Sequence, residues 1–426
     1  GKTVADGVAE QLRKLALVST TDHHSSIDHP FWINANLISA VPVLARHNPV
    51  LHYLVVFSFA SVSLNNASGY PRGMQFYGGV NGSKNVQRLP ILPDKHKMSV
   101  VYATRAFTKE DVTRAKQELQ KRVKDAKVTP SCEQGIRGLL ETYFENEDVL
   151  NSADLNEQIT KINFAMWPKL FHPPQGQAAE GVPVPDLLYL EIETLVTHLL
   201  LTKHLNNPST LIHRALFDEA MRPLIYKHFD GIPGAFSVAK DWGTFFFWYI
   251  DDKQHRVRMY LQDGVLTSKL GMHQIPFTPE AIADALKRKQ IFPSMLLCYL
   301  MVSLYYGMKC LGGFCQVNDL TMTKRAWQAL LRELGDNVEA DALEPVQTKE
   351  LGGDGMVLPY TRTVDGDLIP GSGPDMILSD RDTQVDKYVE RSRWVTLNEM
   401  MDAMLPEIYT VLYPMPERDP AFAHVT

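Results

Sequence analysis

The chain predicts an α/β N-terminal domain, with a mixed, partly parallel sheet, joined to a helix-rich α+β region. Three observations carry this. Short apolar runs at 15–19, 53–64 and 98–104 each open into a polar loop, with helical patterns between them. From 130 to 229 the apolar residues recur mostly at helical spacing. Residues 243–261 (GTFFFWYIDDKQHRVRMYL) then read as a β-hairpin, with Arg256 and Arg258 alternating with Val257 and Met259. A chain of 426 residues is too long for one small core. The pattern changes divide it into 1–129, 130–230 and 231–426.

The first run, LALVS at 15–19, is short and bounded by polar residues, as a buried strand is. Pro30 suits the first position of a helix, where its missing N–H costs nothing. Behind it Phe31, Ile33, Leu37, Ile38, Val41 and Leu44 fall at roughly helical spacing. Residues 53–64 (YLVVFSFASVSL) are rich in β-branched and aromatic side chains and read as a central strand. They empty into a loop dense in Gly, Asn and Pro. Residues 98–104 (MSVVYAT) read as a third strand, and Thr108 opens a charged helix to about Lys127, with Asp111 completing a capping box.

Further helices are expected over 132–144, 155–171, 187–205 and 210–229, with a Pro/Gly-rich break at 172–185. Others follow over 279–289, 293–309, 323–334 and 395–412. Between the last two the chain turns polar and glycine-rich. Its GGDG and GSG lack the strand–G-x-G-x-x-G–helix context of a dinucleotide site and read as surface loops. Cys310 and Cys315 stand five apart, which is not a zinc knuckle, and read as thiols in a packed turn.

Apolar content of 45% and charged content of 22% are ordinary for a globular protein, and a net charge of −6 argues against a nucleic-acid partner. Four cysteines in 426 residues fit reduced thiols and a cytoplasmic setting better than a disulfide framework. The first residues, GKTVADGVAEQL, contain no apolar signal-peptide core. Residues 291–308 run without a charge, but Pro293, Ser294, Ser303 and two tyrosines favour a buried helix over a membrane span, so no membrane partner is expected. The pattern leaves the oligomeric state open.

The stretch with most chemistry is TTDHHSSIDHP, which places Asp22, His23, His24, Asp28 and His29 within eight residues, after the first strand and before its helix. In open α/β sheets ligands bind at the carboxyl ends of strands, and a helix N-terminus adds a ready anion site. The plain reading is that Asp28 caps the helix, Asp22 closes a turn and the histidines are solvated or hydrogen-bonded. If the strands ending at Ser19, Leu64 and Thr104 run parallel, Asn65, Asn66, Arg72 and Arg105 share the rim with His23 and His24 and could bind substrate.

Three functions remain open. In the first, Asp22, His23, His24 and His29 hold a divalent ion (Zn, Mn or Fe) that activates water, giving a metal-dependent hydrolase of a small polar or anionic substrate. The strand followed by D-H-H resembles a motif of DHH-type phosphoesterases. In the second, HHSSID from His23 to Asp28 is similar to the H-H-x-x-x-D motif of condensation-domain and chloramphenicol-type acyltransferases, with His29 where that motif has glycine. That resemblance implies His24 as general base on an amine or hydroxyl, with Asp28 holding the loop. In the third, the same cleft binds a small ligand without catalysis.

Overall fold

The apolar run LALVS becomes β1 (Leu17–Ser19), and YLVVFS becomes β2 (Tyr53–Ser58). The two pair in parallel, Ser19 opposite Val56, and belong to a four-stranded parallel sheet. Its order is Lys309–Leu311, β1, β2, Asp186–Glu191. The computed structural model describes residues 3–46, 51–66, 69–79, 86–174, 176–178, 184–352, 358–362 and 368–402. The sheet takes strands from each of the three stretches 1–129, 130–230 and 231–426.

Side chains of a strand alternate between faces, and β2 serves two cores in this way. Leu54 and Val56, with Leu187 and Tyr189 beside them, pack against Ile33, Leu37 and Val41 of α2 (Pro30–Ala45), the helix that follows α1 (Val4–Lys14). Val55 and Phe57 join Val18 on the other face, against Ile192, Val196, Leu297 and Leu300. α2 begins as its sequence predicts, with Pro30 in the first turn. The capping group is not Asp28, however: His29 is the N-cap, and its Nδ1 accepts from the Phe31 amide at 3.2 Å.

Four sequence expectations are corrected. Residues 98–104 form no strand of this sheet. Val101–Ala103 is a 3-10 turn closed by local bonds such as Thr104 N–H to Val101 O at 2.9 Å, and Val100 makes one antiparallel bridge to Ser63. The expected helix over 187–205 opens as the strand Asp186–Glu191 and turns helical only at Ile192–Leu199. The expected helix over 293–309 is shorter. Ile291–Pro293 is a strand, Met295–Tyr299 is helical, and Lys309–Leu311 is the parallel edge strand beside β1. The glycines of GSG are buried rather than at the surface. Gly373 N–H donates to the Asp28 carbonyl at 3.0 Å, and a Cβ there would stand 2.2 Å from the Ile27 oxygen. Most of GGDG, and residues 403–412 of the last expected helix, lie outside the described residues.

The predicted hairpin is present. Phe247–Ile250 pairs antiparallel with Arg256–Gln262, within a five-stranded antiparallel sheet that also holds Val265–Ser268, Gln274–Pro276 and Ile291–Pro293. Among the described residues, three helices end in π-helical turns, at Leu140–Phe144, Leu200–His204 and Leu300–Tyr305. The last carries the uncharged stretch into the core, where Leu296 to Val302 are buried. Among the described residues no helix is long and apolar enough to cross a membrane.

Candidate functional site

The loop from Thr20 to His29 leaves β1 still paired. His23 makes a parallel bridge to Phe59, with His24 N–H donating to Phe59 O at 2.8 Å and Phe59 N–H to Asp22 O at 2.9 Å. An extended segment turns consecutive side chains to opposite sides, and this pairing separates the two histidines.

His24 turns inward and is fully buried. Its Nε2 donates to the Asn156 carbonyl at 3.3 Å, so Nδ1, 2.7 Å from Ser58 Oγ, is the acceptor. Burial pushes its pKa down to about 4. Both ring nitrogens are therefore engaged by the protein.

His23 lies on the other side. Its Nδ1 is 2.9 Å from Asn66 Oδ1, an oxygen that can only accept, so Nδ1 carries the proton and Nε2 keeps its lone pair. The edge of the ring meets Trp32 at 5.3 Å and 62°. Burial lowers its pKa, which keeps the imidazole neutral at pH 7. His23 lines a cavity of about 300 Å³ together with Thr20, Phe59, Tyr299, Cys315 and Asp319.

The position of this cavity follows from the topology. From β1 the chain crosses to β2 on one side, while Lys309–Leu311 lies on the other side of β1. The cavity lies where the loops that leave the carboxyl ends of these strands meet the helices Pro30–Ala45, Met295–Tyr299 and Phe314–Leu334. This is the switch point where open parallel sheets receive ligands. The Lys309–Leu311 strand runs through Gly312 and Gly313 into the 21-residue helix Phe314–Leu334. Its N-cap is Gly313, which offers its first-turn amides no side-chain acceptor. A Cβ on Gly312 would stand 2.3 Å from Gln316 Cδ, so the glycine leaves room for Gln316 Nε2 to donate to Thr20 Oγ1 at 2.6 Å.

The remaining acidic and basic candidates hold the loop or their own surroundings. Asp22 is buried and accepts from the Tyr189 hydroxyl and from Asn36 Nδ2. Asp28 is buried and accepts from the Gln75 amide at 2.6 Å, and burial raises its pKa to about 8. His29 is pushed down to about 3, by burial first and then by the Arg88 charge. Arg72 donates to Leu92 O and pairs with Asp94. Arg105 pairs with Asp111 at 2.7 Å. Asn65 is exposed, its amide bonded to Lys97 O at 3.0 Å. Of the four expected substrate-binding residues, only Asn66 bonds a histidine of the cluster.

Asp22, His24 and His29 thus spend donor atoms on different partners. Among the described residues no group of three or more His, Cys, Asp or Glu is placed to hold a metal ion. Sequence reading missed Tyr299, Gln316 and Asp319. The signal for the last two was KCLGG, an apolar run and a glycine pair, which marks a strand entering a helix as well as a helix end.

No protein-family model matches the chain, and no curated protein matches it either.

Proposed function

We propose that the protein is an acyltransferase-class enzyme acting on a small molecule in the switch-point cleft, with His23 rather than His24 as general base. The observation that carries this is the His23–Asn66 bond of 2.9 Å beside the cavity. A neutral imidazole whose Nδ1–H is held leaves Nε2 as the proton acceptor, the state a general base needs. Nε2 would take the proton of an acceptor amine or hydroxyl as that group attacks an acyl carbonyl. The same proton then passes to the departing group. The first-turn amides behind Gly313, which receive no N-cap side chain, would supply donors for the developing oxyanion. Asp28 serves by holding the loop to Gln75 and Gly373. Four free thiols suit a reducing, cytoplasmic setting.

The test is a screen of acyl thioesters against small amines and alcohols, followed by thiol release. His23→Ala is expected to lower turnover by about 100-fold or more. Unchanged turnover in that variant would remove His23 from the chemistry. Activity lost to a chelator and restored by Zn²⁺ or Mn²⁺ would favour the metal-dependent hydrolase instead.

A further inference from the structure

The cleft contains a carboxylate with no counter-ion among the described residues. Asp319, on the helix that begins at Phe314, lines the same cavity as His23. It is half-buried, accepts from Asn318 Nδ2 at 3.2 Å, and enters no ion pair among the described residues. Burial raises its pKa, a sign that its charge is poorly compensated. The cavity lining includes no lysine or arginine among the described residues. Aromatic rings form much of the rest of the wall. Phe59 meets Tyr299 edge-on with centroids 5.6 Å apart, and Phe31 and Trp32 lie 6.3 Å apart on the side of His23.

An anionic ligand would meet repulsion from Asp319 here, with only helix-end dipoles to offset it. A cation gains on both counts, from the Asp319 carboxylate and from the aromatic rings of the wall. We infer that the cavity takes a primary amine, bound as its ammonium ion between Asp319 and the aromatic wall, and that this amine is the acyl acceptor. The second half rests on the acyltransfer reading. In that reaction the new N–C bond forms as the C–S bond of an acyl thioester breaks. The ammonium first gives up one proton to solvent, and the second passes through His23 Nε2 to the departing thiolate as the amine attacks, which leaves amide, thiol and one released proton.

Calorimetric titration of the intact protein with benzylamine and with benzyl alcohol tests the first half. Benzylamine is expected to bind about 10-fold or more tightly than the alcohol, and more weakly as salt rises. Asp319→Asn should abolish the preference while Asp319→Glu keeps part of it. His23→Ala should retain amine binding within about threefold. Equal affinity for the two probes, or an unchanged preference in Asp319→Asn, would overturn the amine site. Benzylamine binding that depends on Asp319, without acyl transfer from any thioester, would leave the amine site standing and sink the acyltransfer reading.

Discussion

The Tyr189 hydroxyl donates to Asp22 Oδ2 at 2.5 Å, and Asn36 Nδ2 donates to the same oxygen at 2.8 Å. One buried carboxylate thus ties the His-bearing loop both to the strand Asp186–Glu191 and to α2. Its companion Asp28 fastens the other end of the loop to Gln75.

Tyr189→Phe is expected to lower stability by about 1–3 kcal/mol, because it removes a donor to a buried carboxyl oxygen and leaves nothing in its place. A denaturant titration should show the midpoint falling with an unchanged slope. An unchanged midpoint would mean that Asp22 is not held through Tyr189.

The two histidines should separate by readout. His24→Ala leaves a buried gap and strips Ser58 of its ring partner, so a loss of about 2–3 kcal/mol is expected. His23→Ala, at the cavity wall, should cost less than about 1 kcal/mol while removing activity. Equal stability losses in the two variants would argue against the division of roles.

Asn66→Asp should raise the His23 pKa by about one unit or more, because an anion beside Nδ1–H favours the imidazolium. Long-range ¹H–¹⁵N spectra of the wild type should show the Nδ1–H tautomer. A wild-type ring protonated at Nε2 would invalidate the general-base assignment.

Stability should fall as pH rises from about 6.5 to 8. Burial raises Asp28 to about 8, and Glu193 and Asp375 each to about 7. Each of these carboxyls binds its proton more tightly folded than unfolded. The stability each provides is complete below the unfolded carboxylate range and is lost as pH climbs through its folded value. His24 and His29, lowered to about 4 and about 3, act in the opposite direction. They withdraw stability as pH drops below 6.5, offsetting the carboxyls in the acid range. Thermal midpoints across pH 5 to 8.5 check this, and Asp28→Asn should flatten the alkaline decline.

β1 and α2 were legible because an apolar run and a well-placed Pro30 are local signals. The strand Asp186–Glu191 was not. Leu187 and Tyr189 pack on one core and Leu190 on the other, so the strand lacks the polar alternation that marks a half-exposed one, and the run joins the helix that follows it. The edge strand Lys309–Leu311 is too short to show any period. The Asp/His loop was located from composition alone. Which histidine faces the cavity depends on the Phe59 pairing, a contact that no local pattern encodes.

The parallel pairing of Leu17–Ser19 with Lys309–Leu311 carries a kinetic consequence. During synthesis, one edge of β1 stays unsatisfied until nearly three hundred further residues have left the ribosome. Contacts of such high sequence separation close slowly, and an open strand edge invites pairing between chains. Nascent fragments ending before residue 309 should therefore lean on chaperones, and the ligand cleft should be among the last features of the molecule to form.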